Sequence, residues 1–399
     1  MKSSKTNYRF IMIMAALMSL TALSIDAILP AMGLIRAKFE VDARSGHWII
    51  TCVFFGLSLG QIFFGPLADS IGRKKVAYIG MAIFALGNLI SFLASDYTIL
   101  LVGRFLQGFG ASAPRIVSQA MIRDTSSGRE MAKLMSFVMT VFIIVPVLAP
   151  ILGQVIIWIA PWNFIFLALI VYGLLVISWL AFSQPETLNK PRSLDFSTIS
   201  NGFSEVFQNK VTLCFMVSSG IIFGGLVSFL NMAQPLYQET YQVGDKFPFY
   251  FASIAMIIGV SSFINAKLVD KISPQVIVTY ALIWVWAWSA IFLLISYFNG
   301  SLDLIAFLVF SIPTFGTYGF LFSNVNTLAL MPMGHIAGTA AAAIGTCSNI
   351  LAVIIGAGAT YFFVGTPTAL ITVFFLGATL NIFILLILKQ FKVKLLSNA

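Results

Sequence analysis

The sequence predicts an all-α integral membrane protein, with twelve transmembrane helices arranged as two pseudo-symmetric six-helix halves. Three observations carry that prediction. Of 399 residues, 59% are hydrophobic and only 9% charged, too few charges to cover a water-soluble surface. Apolar runs recur from end to end, each long enough to cross a hydrocarbon core of about 30 Å as a helix of about 20 residues. Lysine and arginine fall mostly in alternate connections between those runs. The same runs exclude an outer-membrane barrel, whose strands alternate apolar and polar residues over about 10 positions.

The runs lie at about 10–35, 46–67, 76–95, 98–122, 133–159, 162–183, 211–237, 248–268, 274–297, 303–330, 337–363 and 368–388. An even number of spans puts both termini on one side. One set of connections carries Lys2, Lys5, Arg9, Arg73, Lys74, Lys75, Arg123, Arg129, Lys133, Lys190, Arg192, Lys210, Lys267, Lys271, Lys389, Lys392 and Lys394. The other set carries Arg36, Lys38, Arg44 and Lys246. The richer set is expected in the cytoplasm, with both termini. The net charge of +9 is then a mark of cytoplasmic loops, and no nucleic-acid partner follows from it. Lys2, Lys5 and Arg9 precede the first run as they would in a signal peptide. That run is too long for an h-region and has no convincing cleavage site, so it is expected to be retained. Cys52, Cys214 and Cys347 lie far apart inside spans and read as small buried hydrophobes.

The longest polar connection, 183–210, separates the halves. The expected division is residues 1–183, a cytoplasmic inter-half loop at 184–210, and residues 211–399. A faint repeat supports duplication. Leu67, Asp69 and Ile71 after span two correspond to Leu268, Asp270 and Ile272 after span eight, 201 positions later.

Within the spans, chemistry-bearing residues are few. Asp26, in "LSIDAILPAM", is the one acid placed well inside a span. Span four carries Arg104, Gln107, Ala111, Arg115 and Ser118 at helical spacing, a small and polar stripe that faces protein or water. Counted at 1.5 Å per residue, Asp26 and Arg104 both lie about 9 Å inside the outer boundary. Each alone would cost several kcal/mol in the membrane, so the two are expected to pair. A structural ion pair is the plain alternative. Arg115 lies nearer the cytoplasm, where snorkelling is the alternative to a cavity role.

"GPLADSIGRKK" follows span two. Gly65 is read as allowing close helix packing, and Asp69 as accepting from a neighbouring helix N-terminus. Gly72 turns the chain, and Arg73, Lys74 and Lys75 anchor it at the cytoplasmic face. Span five carries Pro146, Pro150 and Gly153, read as a bend. Asn231 and Gln234 in span seven, Asn324 and Asn326 in span ten, and Asn349 in span eleven are interhelical polar contacts or cavity groups. Phe142, Phe251, Tyr237 and Tyr318 are candidate linings of an amphiphile pocket. Gly108 to Ala113 mimics a dinucleotide fingerprint, but no strand precedes it and it lies within a span.

Together "IDAILPAM", "GQIFFGPLADSIGRKK", "GRFLQGFGA", "AMIRD", "VPVLAPILG", "QPETL" and "AGTAAAAIG" resemble the Bcr/CflA drug-resistance subfamily of the major facilitator superfamily. The resemblance spans almost the whole chain and is densest in the first half. It implies a 6+6 helical fold with a central cavity opening alternately to each side. It further implies proton-coupled export of small amphiphilic compounds from a bacterial inner membrane, by a monomer without cofactor. Asp26 is then the protonation and cation-recognition site, with Arg104 coupling proton to substrate. The substrate cavity would include Asp26, Arg104, Gln107, Arg115, Phe142, Pro146, Asn231, Gln234, Tyr237, Tyr318, Asn324 and Asn349. Two departures stand out. Ala149-Pro150 replaces the Gly-Pro common in drug antiporters. Met18-Ser19 occupies the place where some relatives carry a second acid.

Other function classes fare less well. An importer coupled to protons would share every feature except direction. A membrane enzyme would need a nucleophile or metal cluster, and His47 and His335 lie in different loops. A receptor would need a signalling module, and ATP drive would need a phosphate-binding loop of the G-x-x-x-x-G-K-[ST] type.

Overall fold

The computed structural model describes residues 8–126, 128–188 and 196–397. Within them, the side chains at 43–44, 128–130, 132–133, 136, 139–143, 196–199, 337 and 389–397 lie outside the description. Every regular element among the described residues is a helix, with no strand. Twelve long helices follow one another: α1 (Tyr8–Asp26), α2 (Trp48–Ile71), α3 (Arg73–Phe92), α4 (Tyr97–Thr125), α5 (Gly128–Ile159), α6 (Phe164–Ser183), α7 (Lys210–Gln234), α8 (Phe247–Leu268), α9 (Pro274–Asn299), α10 (Leu304–Leu330), α11 (Ala337–Tyr361) and α12 (Thr368–Ser397). Among the described residues, ten spans are long and apolar enough to cross a membrane. α4, which carries Arg104, Gln107 and Arg115 along its length, falls outside that set. The described apolar part of α5, Ile144–Ile159, is shorter.

Several boundaries differ from the sequence reading, and proline explains two of them. The first run is not one helix. α1 ends at Asp26, a short 3-10 turn Leu29–Ala31 contains Pro30, and a separate helix Met32–Phe39 follows. Proline lacks the N–H that would continue the ladder. In span seven, Pro235 marks the change from α-helix to the π-helical turn Pro235–Thr240. The long polar connection holds a helix, Phe196–Gln208. Its apolar residues Phe203, Val206 and Phe207 recur at helical spacing within a polar segment.

The chain divides into two compact units, Met1–Val41 with Trp48–Asp195, and Asp42–His47 with Phe196–Ala399. In the first unit α4 is the central element. A Cβ added at Gly56 of α2 would stand 2.2 Å from the carbonyl oxygen of Phe105, so the two backbones touch there. Such close approach replaces hydrophobic driving force, which is absent between helices already surrounded by apolar lipid. Gly65 does not share this role: a Cβ there would meet nothing within 4 Å.

The second unit repeats local devices of the first. α9 starts at Pro274, 201 positions after Arg73 starts α3. α4 and α10 are each capped by an aspartate: Ile99 N donates to Asp96 at 3.0 Å, and Ala306 N to Asp303 at 2.7 Å. The outer faces of both units are apolar. Phe182 is 92% exposed and Phe298 80%, values that suit lipid and not water.

Candidate functional site

Asp26 is the last residue of α1 and is 5% exposed. Arg104, in α4, is fully buried. The expected ion pair between them is not what the structure describes. Arg104 Nη2 donates to Ser24 O at 2.9 Å, Nε donates to Ile49 O at 2.9 Å, and Nη1 donates to Gln107 Oε1. Its guanidinium also lies 5.8 Å from the centre of the Phe166 ring. Two of these partners are backbone carbonyls at the ends of α1 and α2, where Arg104 acts as a clamp. The rigid fork of the guanidinium fits several carbonyls at once.

Gln107 extends the clamp. Its Nε2 donates to Asn88 Oδ1 at 2.8 Å, and Asn88 Nδ2 donates to Phe84 O at 2.8 Å. Asn88 is fully buried in α3 and was not singled out from sequence, although it is a lone amide in an apolar span. The network therefore ties α1, α2, α3 and α4 around the helix end that carries Asp26. Gly153 of α5 completes the surroundings. A Cβ there would come within 1.9 Å of Ala27 O, so α5 rests directly on the residue after Asp26. α5 itself runs from Gly128 to Ile159 through Pro146 and Pro150. The Phe142 side chain lies outside the described residues.

Hydrogen bonds fix the register of α1 against α4. Thr21 Oγ1 donates to Ala111 O at 3.4 Å, and Ser118 Oγ donates to Met14 O at 2.9 Å. The predicted stripe of α4 thus faces α1. Arg115 lies between these two contacts and is partly accessible. At Met18-Ser19, where a second acid is missing, Ser19 Oγ and Tyr172 Oη share a 2.7 Å hydrogen bond between α1 and α6.

The loop between α2 and α3 forms a second centre. Gly72 has φ +110°, a conformation that favours glycine, and so makes the turn. Arg73 donates from Nη1 to Asp69 at 2.5 Å and from Nε to Asp124 at 2.8 Å. The carboxylate meeting a helix N-terminus is Glu186, not Asp69. It accepts from Arg73 N at 3.0 Å and Lys74 N at 3.0 Å, the first amides of α3, and also from Thr187 N and Leu188 N. Burial alone would raise the Glu186 pKa. The amides of Leu188, Lys74, Arg73 and Thr187 outweigh that and hold it below its ordinary value. Lys74 Nζ donates to Ala181 O at 3.0 Å and Gln184 O at 2.8 Å, at the C-terminal end of α6. The roles of Asp124 in "AMIRD" and Glu186 in "QPETL" are not legible in the sequence, because each lies more than fifty positions from Arg73.

In the second unit the expected cavity residues separate. Asn324 is interhelical glue: its Nδ2 donates to Asn265 Oδ1 at 2.7 Å. Gln234 donates to Gln238 and Glu239 within the π-helical turn. Tyr237 is fully buried among Tyr241, Phe247, Tyr250 and Phe307, which leaves no ring face open to a ligand. Phe251 is buried against Phe229 and Phe247. Tyr318 packs on Phe315, Phe322 and Phe374. Asn349 is partly accessible and Asn326 exposed. Asn231 differs from all of these: it is 2% exposed, and neither amide atom has a hydrogen-bond partner among the described residues. The three cysteines are free and only half-buried, less enclosed than expected.

Comparisons with known proteins agree with this architecture. Residues 13–357 match the family model of the Major Facilitator Superfamily. A bicyclomycin resistance protein homolog of Haemophilus influenzae is 30% identical over 285 residues, covering 71% of this chain and 72% of that protein. The multidrug resistance protein MdtL of Escherichia coli is 32% identical over 253 residues, 63% of this chain and 64% of that protein. Among solved structures, the xylose transporter XylE from E. coli superposes with a TM-score of 0.72 at 13% identity, covering 94% of this chain and 96% of that one. At that identity the likeness is one of fold.

Proposed function

The chain belongs to the major facilitator superfamily, and from that premise we propose that it is a proton-coupled secondary transporter exporting small amphiphilic compounds. It exposes its binding site alternately to the two sides of a bacterial inner membrane, with both termini in the cytoplasm, and works as a monomer. The homologues named for bicyclomycin and multidrug resistance support export of drug-like molecules.

The observation that carries the coupling is Asp26, a carboxyl group at membrane depth, 5% exposed, that forms no ion pair with the buried Arg104 nearby. A carboxyl group in low dielectric is favoured in its neutral, protonated form unless a cation compensates it. A cationic substrate supplies that compensation, so substrate and proton compete for one state of the carrier. Arg104 serves the site by fixing the α1 backbone two residues earlier. The Asp69–Arg73–Asp124 cluster and Glu186 hold the opposite end of the first unit and set the exchange between carrier states. The test is substrate-induced proton release by purified protein, with a panel of lipophilic cations, neutral antibiotics and siderophores. Release by wild type and none by Asp26→Asn is expected. Equal release by both removes Asp26 from the coupling step.

A further inference from the structure

We propose that Arg115 holds an anionic group of the transported compound, so that the carrier takes amphiphiles bearing a carboxylate or similar oxyanion, zwitterions included. This rests on the reading above only in so far as the chain binds small amphiphiles.

Arg115 is unlike the neighbouring arginines of the first unit. Arg73 is held by Asp69 and Asp124, and Arg104 by three oxygens. Among the described residues Arg115 has no hydrogen-bond, ion-pair or ring partner, yet it is partly accessible. Its place in the register is fixed by the Thr21–Ala111 and Ser118–Met14 hydrogen bonds, which set it opposite residues 17 and 18 of α1. Leu17 and Met18 are apolar and buried, and supply no counter-charge.

Snorkelling does not account for it. Asp124, paired with Arg73, marks the polar end of α4, nine residues from Arg115 or about 13 Å at 1.5 Å per residue. That exceeds the reach of one side chain. Moreover, the Cα–Cβ bond of a helical residue tilts toward the helix N-terminus, which in α4 is the Arg104 end and leads away from Asp124. An uncompensated cation at membrane depth is costly and marks a substrate path. The planar fork of the guanidinium matches a carboxylate through two parallel hydrogen bonds. An apolar wall beside one cation suits an amphiphile whose anionic group meets Arg115.

The experiment uses the full chain in detergent and two dyes that differ by one methyl group. Rhodamine 110 carries a free carboxylate, and rhodamine 123 is its methyl ester. Fluorescence anisotropy gives both dissociation constants. The acid is expected to bind wild type about tenfold tighter than the ester, the discrimination of one charge-assisted contact. Arg115→Gln should bring the ratio close to one by weakening the acid alone. Arg115→Lys, which keeps the charge without the fork, should recover part of it. A wild-type ratio of one or less, no binding of the acid, or a ratio that Arg115→Gln leaves in place overturns the assignment. The wild-type ratio is decisive even if a variant fails to fold. No proton gradient enters the measurement, so it stands or falls separately from proton coupling.

Discussion

Arg104 Nη2 donates to the backbone carbonyl of Ser24 at 2.9 Å, two residues before Asp26 and without touching its carboxylate. A charge placed this way acts on Asp26 through the α1 backbone. Arg104→Lys keeps the charge but cannot reach Ser24, Ile49 and Gln107 together. It is expected to lose nearly as much stability as Arg104→Ala, about 2 kcal/mol or more. Thermal unfolding of the two variants in detergent checks this. Full rescue by lysine would point to simple charge pairing.

The two acids on Arg73 are not equivalent. Asp124 is 17% exposed and meets Nε and Nη2, whereas Asp69 is 45% exposed and meets Nη1 alone. Removing the partner of a buried charge is costly, while exposed pairs contribute about 0–1 kcal/mol. Asp124→Asn is therefore expected to lower the melting temperature clearly more than Asp69→Asn. Equal losses would contradict the geometry.

Glu186 makes stability depend on pH. Its pKa is depressed in the folded chain, so its contribution is complete above the ordinary value of 4.5 and is lost as pH falls through the lower folded value. Glu186→Gln should cost about 1 kcal/mol at pH 7, typical of a helix N-terminal contact. The gap to wild type should close as pH is lowered below 4.5. Thermal unfolding at a series of pH values measures it, and a gap constant with pH would refute the assignment.

The fold was legible because its signals are local. Apolar runs of membrane length, the alternation of Lys and Arg, and the loop around Gly72 each lie within a short stretch. The site was legible only as residue types. Depth counting brought Asp26 and Arg104 to one level, but depth says nothing of azimuth. Arg104 turns to the Ser24 and Ile49 carbonyls, which no side-chain pattern reveals. Glu186 reaches the α3 amides from 112–113 positions away. Tyr237 looked like a pocket lining because sequence does not show that four rings enclose it.

Asn231 is expected to trade stability for function. Its amide is buried with neither atom hydrogen-bonded, a burden of about 1–3 kcal/mol. Asn231→Leu should raise the melting temperature and weaken substrate binding. A variant that is stabilised and binds normally would show that the amide has no part in recognition.

The most direct test of the transport account is Asp26→Asn in proteoliposomes. A fluorescent lipophilic cation is loaded on one side, and a pH gradient is imposed across the bilayer. The account predicts that wild type drives the cation uphill, whereas the variant, folded and inserted, only equilibrates it because asparagine cannot carry the proton. Uphill transport by Asp26→Asn at the wild-type rate would contradict the account and leave Asp26 a structural residue at the end of α1.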